Sequence, residues 1–95
     1  MAVCRYYLMT ARDDQVDALR TALVDLAEAV KTIPGCRGVE ILQEQDTPTA
    51  FHFIERWDTI EAHKDGGKQL GKDASADVRA VIARPPVSAY LNPVG

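Results

Sequence analysis

The sequence predicts an α+β domain in which helices cover one face of a four-stranded antiparallel sheet. Three observations carry that expectation. Ala50 to Trp57 is dense in aromatic and β-branched side chains, which suit a pleated strand. Val16 to Ile33 repeats apolar residues every three or four positions, the period of a helix with one buried face. Turn-forming residues then divide the chain into strand, helix, strand, strand, interrupted helix, strand, which is the split, ferredoxin-like βαββαβ order.

The first strand is read over Val3 to Met9. Its alternating sets are Val3, Arg5, Tyr7, Met9 and Cys4, Tyr6, Leu8. Neither set is cleanly polar, so both sides of the sheet are expected to be covered. Thr10 or Asp13 is the expected cap of the first helix, because either side-chain oxygen can accept from an unpaired backbone N–H. Val16, Leu19, Leu23, Leu26, Val30 and Ile33 form that helix's apolar stripe, and Pro34-Gly35 ends it.

Gly38 to Glu44 reads as the second strand. Gln45-Asp46-Thr47-Pro48-Thr49 is a hairpin loop that returns the third strand antiparallel to it. Alternation in the third strand places Phe51, Phe53, Glu55 and Trp57 on one face and His52, Ile54 and Arg56 on the other. Asp58, with Glu61 three residues on, resembles a capping box for a short helix. Gly66-Gly67 is expected to break that helix, since paired glycines have poor helix propensity. A further helix is read from about Ala74 to Ala83, stopped by Pro85-Pro86, and Val87 to Leu91 is the last strand. Right-handed crossovers place the first strand between the third and the fourth.

At 95 residues the chain reads as one domain, 1–95, too small to build a generous core alone, so a second copy would help. A net charge of -3 and aromatics not interleaved with Lys or Arg argue against a nucleic-acid surface. No basic-then-apolar leader and no membrane-length apolar run is visible, so the expected location is cytoplasmic, with no membrane partner. Cys4 and Cys36 make neither a zinc-type cluster nor a Cys-x-x-Cys pair. In the expected strand order the third strand separates them by roughly 9–10 Å, beyond the ~7 Å that a disulfide tolerates.

Pro34-Gly35-Cys36-Arg37-Gly38-Val39-Glu40, Asp46-Thr47-Pro48, and Phe51-His52-Phe53-Ile54-Glu55-Arg56-Trp57-Asp58 with Glu61-Ala62-His63 resemble the antibiotic-biosynthesis monooxygenase-like domain of the dimeric α+β barrel superfamily. The resemblance spans roughly residues 3 to 65. It implies a homodimer with sheets packed face to face and a pocket between helices and sheet in each subunit. It also implies, for members acting on polycyclic phenols or quinols, oxygen insertion with no metal or flavin cofactor. Haem-degrading relatives use an Asn on the first strand, a Trp and a His. Here Trp57 matches, the first strand has no Asn, and Gly66-Gly67 stands where that His is expected.

Cofactor-free oxygenation asks for a base, an electron-rich phenolic anion and a dry pocket. His63 is the first candidate base by intrinsic pKa; beside Lys64 and Asp65 it is equally a solvated helix residue. Glu55 shares the Trp57 face, where burial would raise its pKa, or an arginine would pair with it. Phe53 and Trp57 would floor the pocket for a small aromatic molecule, or be plain core. Tyr6 is the candidate to orient a phenol, with Tyr7 and Tyr90 able to do the same. His52, Ile54 and Arg56 are expected at the subunit interface. The functions in play are a monooxygenase of a phenol or quinol, a non-catalytic dimeric ligand-binding or stress-related module, and a haem-binding or haem-degrading protein.

Overall fold

A computed structural model describes residues 2–95. The elements are β1 (Val3–Thr10), α1 (Val16–Lys31), β2 (Cys36–Gln43), β3 (Ala50–Trp57), α2 (Ile60–Leu70), a 3₁₀ turn (Lys72–Ser75), α3 (Ala76–Val81) and β4 (Val87–Leu91). The strands form one antiparallel sheet in the order β2-β3-β1-β4, as the crossover argument requires. The fold is the expected ferredoxin-like α+β arrangement, with the helices on one face.

Register fixes what faces the helices. Arg5 lies opposite Glu55 on one side and Tyr90 on the other, and Tyr7 lies opposite Phe53. Because side chains alternate, Val3, Arg5, Tyr7 and Met9 join Phe51, Phe53, Glu55 and Trp57 on the covered face. Two core clusters form there. One contains Met9, Leu19, Leu23, Phe51, Phe53 and Val78; the other contains Val3, Val30, Ile33 and Trp57. Cys4 and Cys36 are both free, with β3 between their strands.

Local expectations fail at the helix ends. Neither Thr10 nor Asp13 caps α1: Gln15 occupies that position with no side-chain cap. Thr10 instead extends β1, where its carbonyl accepts from the Ala83 N–H at 2.8 Å. Strand pairing outcompetes a cap because it satisfies backbone groups on two elements at once. Thr59, not Asp58, caps α2, accepting from the Ala62 N–H at 3.0 Å. Asp58 is drawn away by an ion pair with Arg37.

The largest difference is at Gly66-Gly67, where α2 continues unbroken. A Cβ at Gly66 would lie 2.8 Å from Trp57 Cη2 and 2.9 Å from Ile33 Cγ2. The glycine is there so that the helix backbone can rest on the indole, and that contact outweighs its poor propensity. A similar approach occurs at the α1–β2 turn. Gly35 has φ +91°, and a Cβ there would meet Ala62 Cβ at 2.7 Å.

The two adjacent glycines should therefore respond oppositely to alanine. Gly67 has open space around its Cβ position, so Gly67→Ala should stabilise the helix by up to ~1 kcal/mol. Gly66→Ala gains the same propensity but must push Trp57 aside, an overpacking cost of about 1–3 kcal/mol. Thermal melts should show Tm rising for the first and falling for the second; a rise for both would mean that the Trp57 contact is not tight.

Candidate active site

A cavity of about 310 Å³ lies between α1, α2, α3 and the sheet, in the range of small-ligand sites. Val30, Ile33 and Trp57 line it from one core cluster, and Met9, Phe53 and Val78 from the other. The polar groups Tyr7, Glu55 and His63 sit between them. Alternation along β3 supplies Phe53, Glu55 and Trp57 to the floor, while the Thr59 cap starts α2 so that His63 comes over it.

Glu55 is only 5% exposed and is the one buried charged residue among those described. The Trp57 indole N–H donates to its Oε1 at 2.9 Å, and His63 Nε2 is 3.8 Å from the same oxygen. Burial raises its pKa; the indole hydrogen bond and then the Arg5 charge oppose the rise.

His63 bridges two tyrosines. Its Nε2 is 3.0 Å from the Tyr7 hydroxyl and its Nδ1 is 2.7 Å from the Tyr90 hydroxyl. A neutral imidazole has one donor and one acceptor nitrogen, so one hydroxyl donates to the ring and the other accepts from it. Burial lowers the His63 pKa, and Arg5 and then Lys64 lower it further. The imidazole is therefore neutral at pH 7, with an open lone pair whenever its phenolic donor is displaced. Arg5 supports both tyrosines, with its guanidinium 4.3 Å from the Tyr90 ring centroid and 5.1 Å from that of Tyr7. The Tyr7 hydroxyl has a raised pKa, first from burial and then from the Glu55 charge.

Of the residues singled out from sequence, the structure brings Phe53, Glu55, Trp57 and His63 together around one cavity. Tyr6 is not among them. It lies on the opposite sheet face, stacked on His52, with its hydroxyl 2.6 Å from His52 Nδ1. Alternation gives the pocket place on β1 to Tyr7, and only pairing with β3 reveals which set of that strand faces inward. Arg5 and Tyr90 were legible as strand residues, but nothing local marks them as neighbours of His63. Among the described residues no group of three His, Cys, Asp or Glu side chains is close enough to hold a metal ion.

The raised Glu55 pKa has a signed consequence. A carboxyl that holds its proton more tightly folded than unfolded favours folding below the ordinary value of 4.5. That contribution is lost as pH rises through the folded-state pKa. Glu55→Gln keeps an oxygen for the Trp57 N–H but does not titrate. Wild type should therefore lose stability relative to this variant as pH rises above 4.5 in urea unfolding; a constant difference would show that Glu55 titrates normally.

The comparisons with known proteins agree with this fold. The antibiotic biosynthesis monooxygenase family model matches residues 2–65. A structure from Chloroflexus aurantiacus, provisionally named an antibiotic biosynthesis monooxygenase, is 32% identical, with a TM-score of 0.82, covering 100% of this chain and 95% of that one. Rv0793 from Mycobacterium tuberculosis shares the fold at 20% identity and TM-score 0.83, covering 100% and 97%. A variant of SnoaB, a cofactor-independent oxygenase from Streptomyces nogalater, shares it at 14% identity and TM-score 0.83, covering 97% and 92%. No curated protein matches the chain in sequence. With the family model spanning most of its length and the same fold in each of these neighbours, the chain belongs to the antibiotic biosynthesis monooxygenase family.

Proposed function

We propose that the protein is a cofactor-independent monooxygenase of a small aromatic phenol or quinol, working as a homodimer. The observation that carries the reading is a pocket-lining His63 whose Nε2 already meets a phenolic hydroxyl, that of Tyr7, at 3.0 Å. A substrate phenol that takes the place of Tyr7 would present its proton to the same nitrogen. The family match and the oxygenase named among the structural neighbours support the reaction class.

In this reading His63 removes the phenolic proton, and Glu55, 3.8 Å away, offsets the imidazolium charge that results. The anion delivers an electron to O₂, and the radical pair joins as a peroxide on a ring carbon. His63 returns its proton as the O–O bond breaks. One oxygen stays as a carbonyl; the other leaves as water with the two hydrogens that the substrate loses. The substrate thus supplies all the electrons. Phe53 and Trp57, buried and apolar, hold the ring and keep bulk water from the intermediates.

The dimer reading rests on the sheet face that no helix covers. Leu42 and Val87 are 48% and 58% exposed there, beside Tyr6, Leu8 and Ile54. His52 sits among them, its Nε2 bonded to Glu44 at 2.7 Å. A second copy would cover this face.

Two measurements test these readings. Oxygen consumption with a panel of naphthols and hydroquinones should reveal a substrate, and His63→Ala should slow its turnover by roughly 10²–10⁴-fold. Because the His63 pKa lies below the ordinary 6.5, wild-type rate should hold at pH 7 and fall only below pH 6.5. Full activity in His63→Ala would move the base to Glu55, and binding without oxygen uptake across the panel would leave a ligand-binding module. Separately, sedimentation at micromolar concentration should give a dimer burying well over ~1,000 Å², weakened by Leu42→Glu; a stable wild-type monomer would sink the dimer.

A further inference from the structure

Beside the pocket lies a second, more open hollow that the proposed chemistry does not use. The two share Gly67, Gly71, Ser75 and Arg79. Around the hollow stand four cations: Lys64, Lys68, Lys72 and Arg79. No carboxylate lines it, although the chain as a whole carries a net charge of -3.

Lys64, Lys68 and Lys72 follow each other at intervals of four along α2 and the turn after it. Lys64 and Lys68 lie within α2, where like charges at that spacing repel. Among the described residues none of the four cations is within ion-pair distance of a carboxylate. Arg79 is also held in place. Its Nη1 donates to Ser75 Oγ and its Nη2 donates to the Lys72 carbonyl at 3.0 Å. These bonds fix the guanidinium at the join of pocket and hollow with further N–H donors unused. Gly67 and Gly71 leave the wall between the cations without side chains, so a ligand atom can approach the backbone there.

We infer that the ligand is an anionic aromatic: a flat ring system in the apolar pocket, carrying a carboxylate or sulfonate-like group that projects into the hollow between Lys64, Lys68, Lys72 and Arg79. The inference rests on the proposed function, since it assigns the ring to the same pocket. It adds the substrate class and the end from which the ring enters. The phenolic hydroxyl reaches Glu55 and His63, and the anionic group stays outside at the rim. The cations also draw such a ligand toward a protein whose net charge would otherwise repel it.

The test is calorimetric binding of 2-naphthol and of 6-hydroxynaphthalene-2-sulfonate, which carries hydroxyl and anion at opposite ends of one ring system. At low salt the sulfonate should bind ~10-fold tighter, as expected for several partly screened ion pairs. That advantage should vanish in the triple variant Lys64→Gln, Lys68→Gln, Lys72→Gln, and in wild type at 0.5 M salt. All three lysines are exposed, so the variant should fold, which circular dichroism checks; 2-naphthol should bind it as it binds wild type. Equal affinity of wild type for both compounds would overturn the rim and leave the aromatic pocket standing. An advantage that survives the triple variant would also overturn it. If neither compound binds wild type, the pocket reading fails and the rim falls with it.

Discussion

The indole of Trp57 is the contact on which the rest of the site depends. It is 1% exposed, its six-membered ring lies against α2 at Gly66, and its N–H donates to Glu55. One ring therefore sets the distance of α2 from the sheet and fixes a carboxylate that the interior would otherwise penalise. His63 is carried on the same helix and meets the indole edge-on at 5.6 Å between centroids. Were the ring smaller, α2 would settle closer and the cavity between the two core clusters would shrink. Were Gly66 any other residue, the helix would be pushed off.

The electrostatics follow from the same burial. A low-polarity site penalises every charge, so Glu55 is driven toward its protonated form and His63 toward its neutral one. Arg5 acts on the two groups in opposite senses: it favours the charged carboxylate and disfavours the charged imidazole. Arg5 is itself a compromise. Its Nη2 donates to Ser88 and its guanidinium lies over two tyrosine rings, but its buried Nε has no hydrogen-bond partner among the described residues. Leaving such a donor unmet costs about 1–3 kcal/mol, a cost the protein carries beside its candidate active site.

The sheet separates two histidines into different surroundings. His63 joins Tyr7 and Tyr90 on the covered face; His52 joins Tyr6 and Glu44 on the open one. Tyr6 and Tyr7 are adjacent in the chain, yet the pleat sends them to opposite sides of the sheet. This is why sequence alone could not choose between them. Both alternating sets of β1 mix apolar and polar residues, and the choice waits on pairing with β3, whose two faces differ far more clearly.

What the sequence by itself determined was what a repeating period or the handedness of a crossover governs. The third and last strands, the helix stripe from Val16 to Val30, the strand order and the common face of Phe53, Glu55 and Trp57 all follow from alternation, helical spacing and the handedness of crossovers. Those rules act over a few residues and do not depend on what packs against them. Only the tertiary structure decided that Gly66-Gly67 lies inside a helix, that Tyr7 rather than Tyr6 lines the cavity, and that Arg5, Glu55, His63 and Tyr90 share one site. Each of these is set by residues far apart in the chain. A glycine's cost to a helix is small and local, whereas the fit of that helix on Trp57 is a packing energy that exists only once the chain has folded.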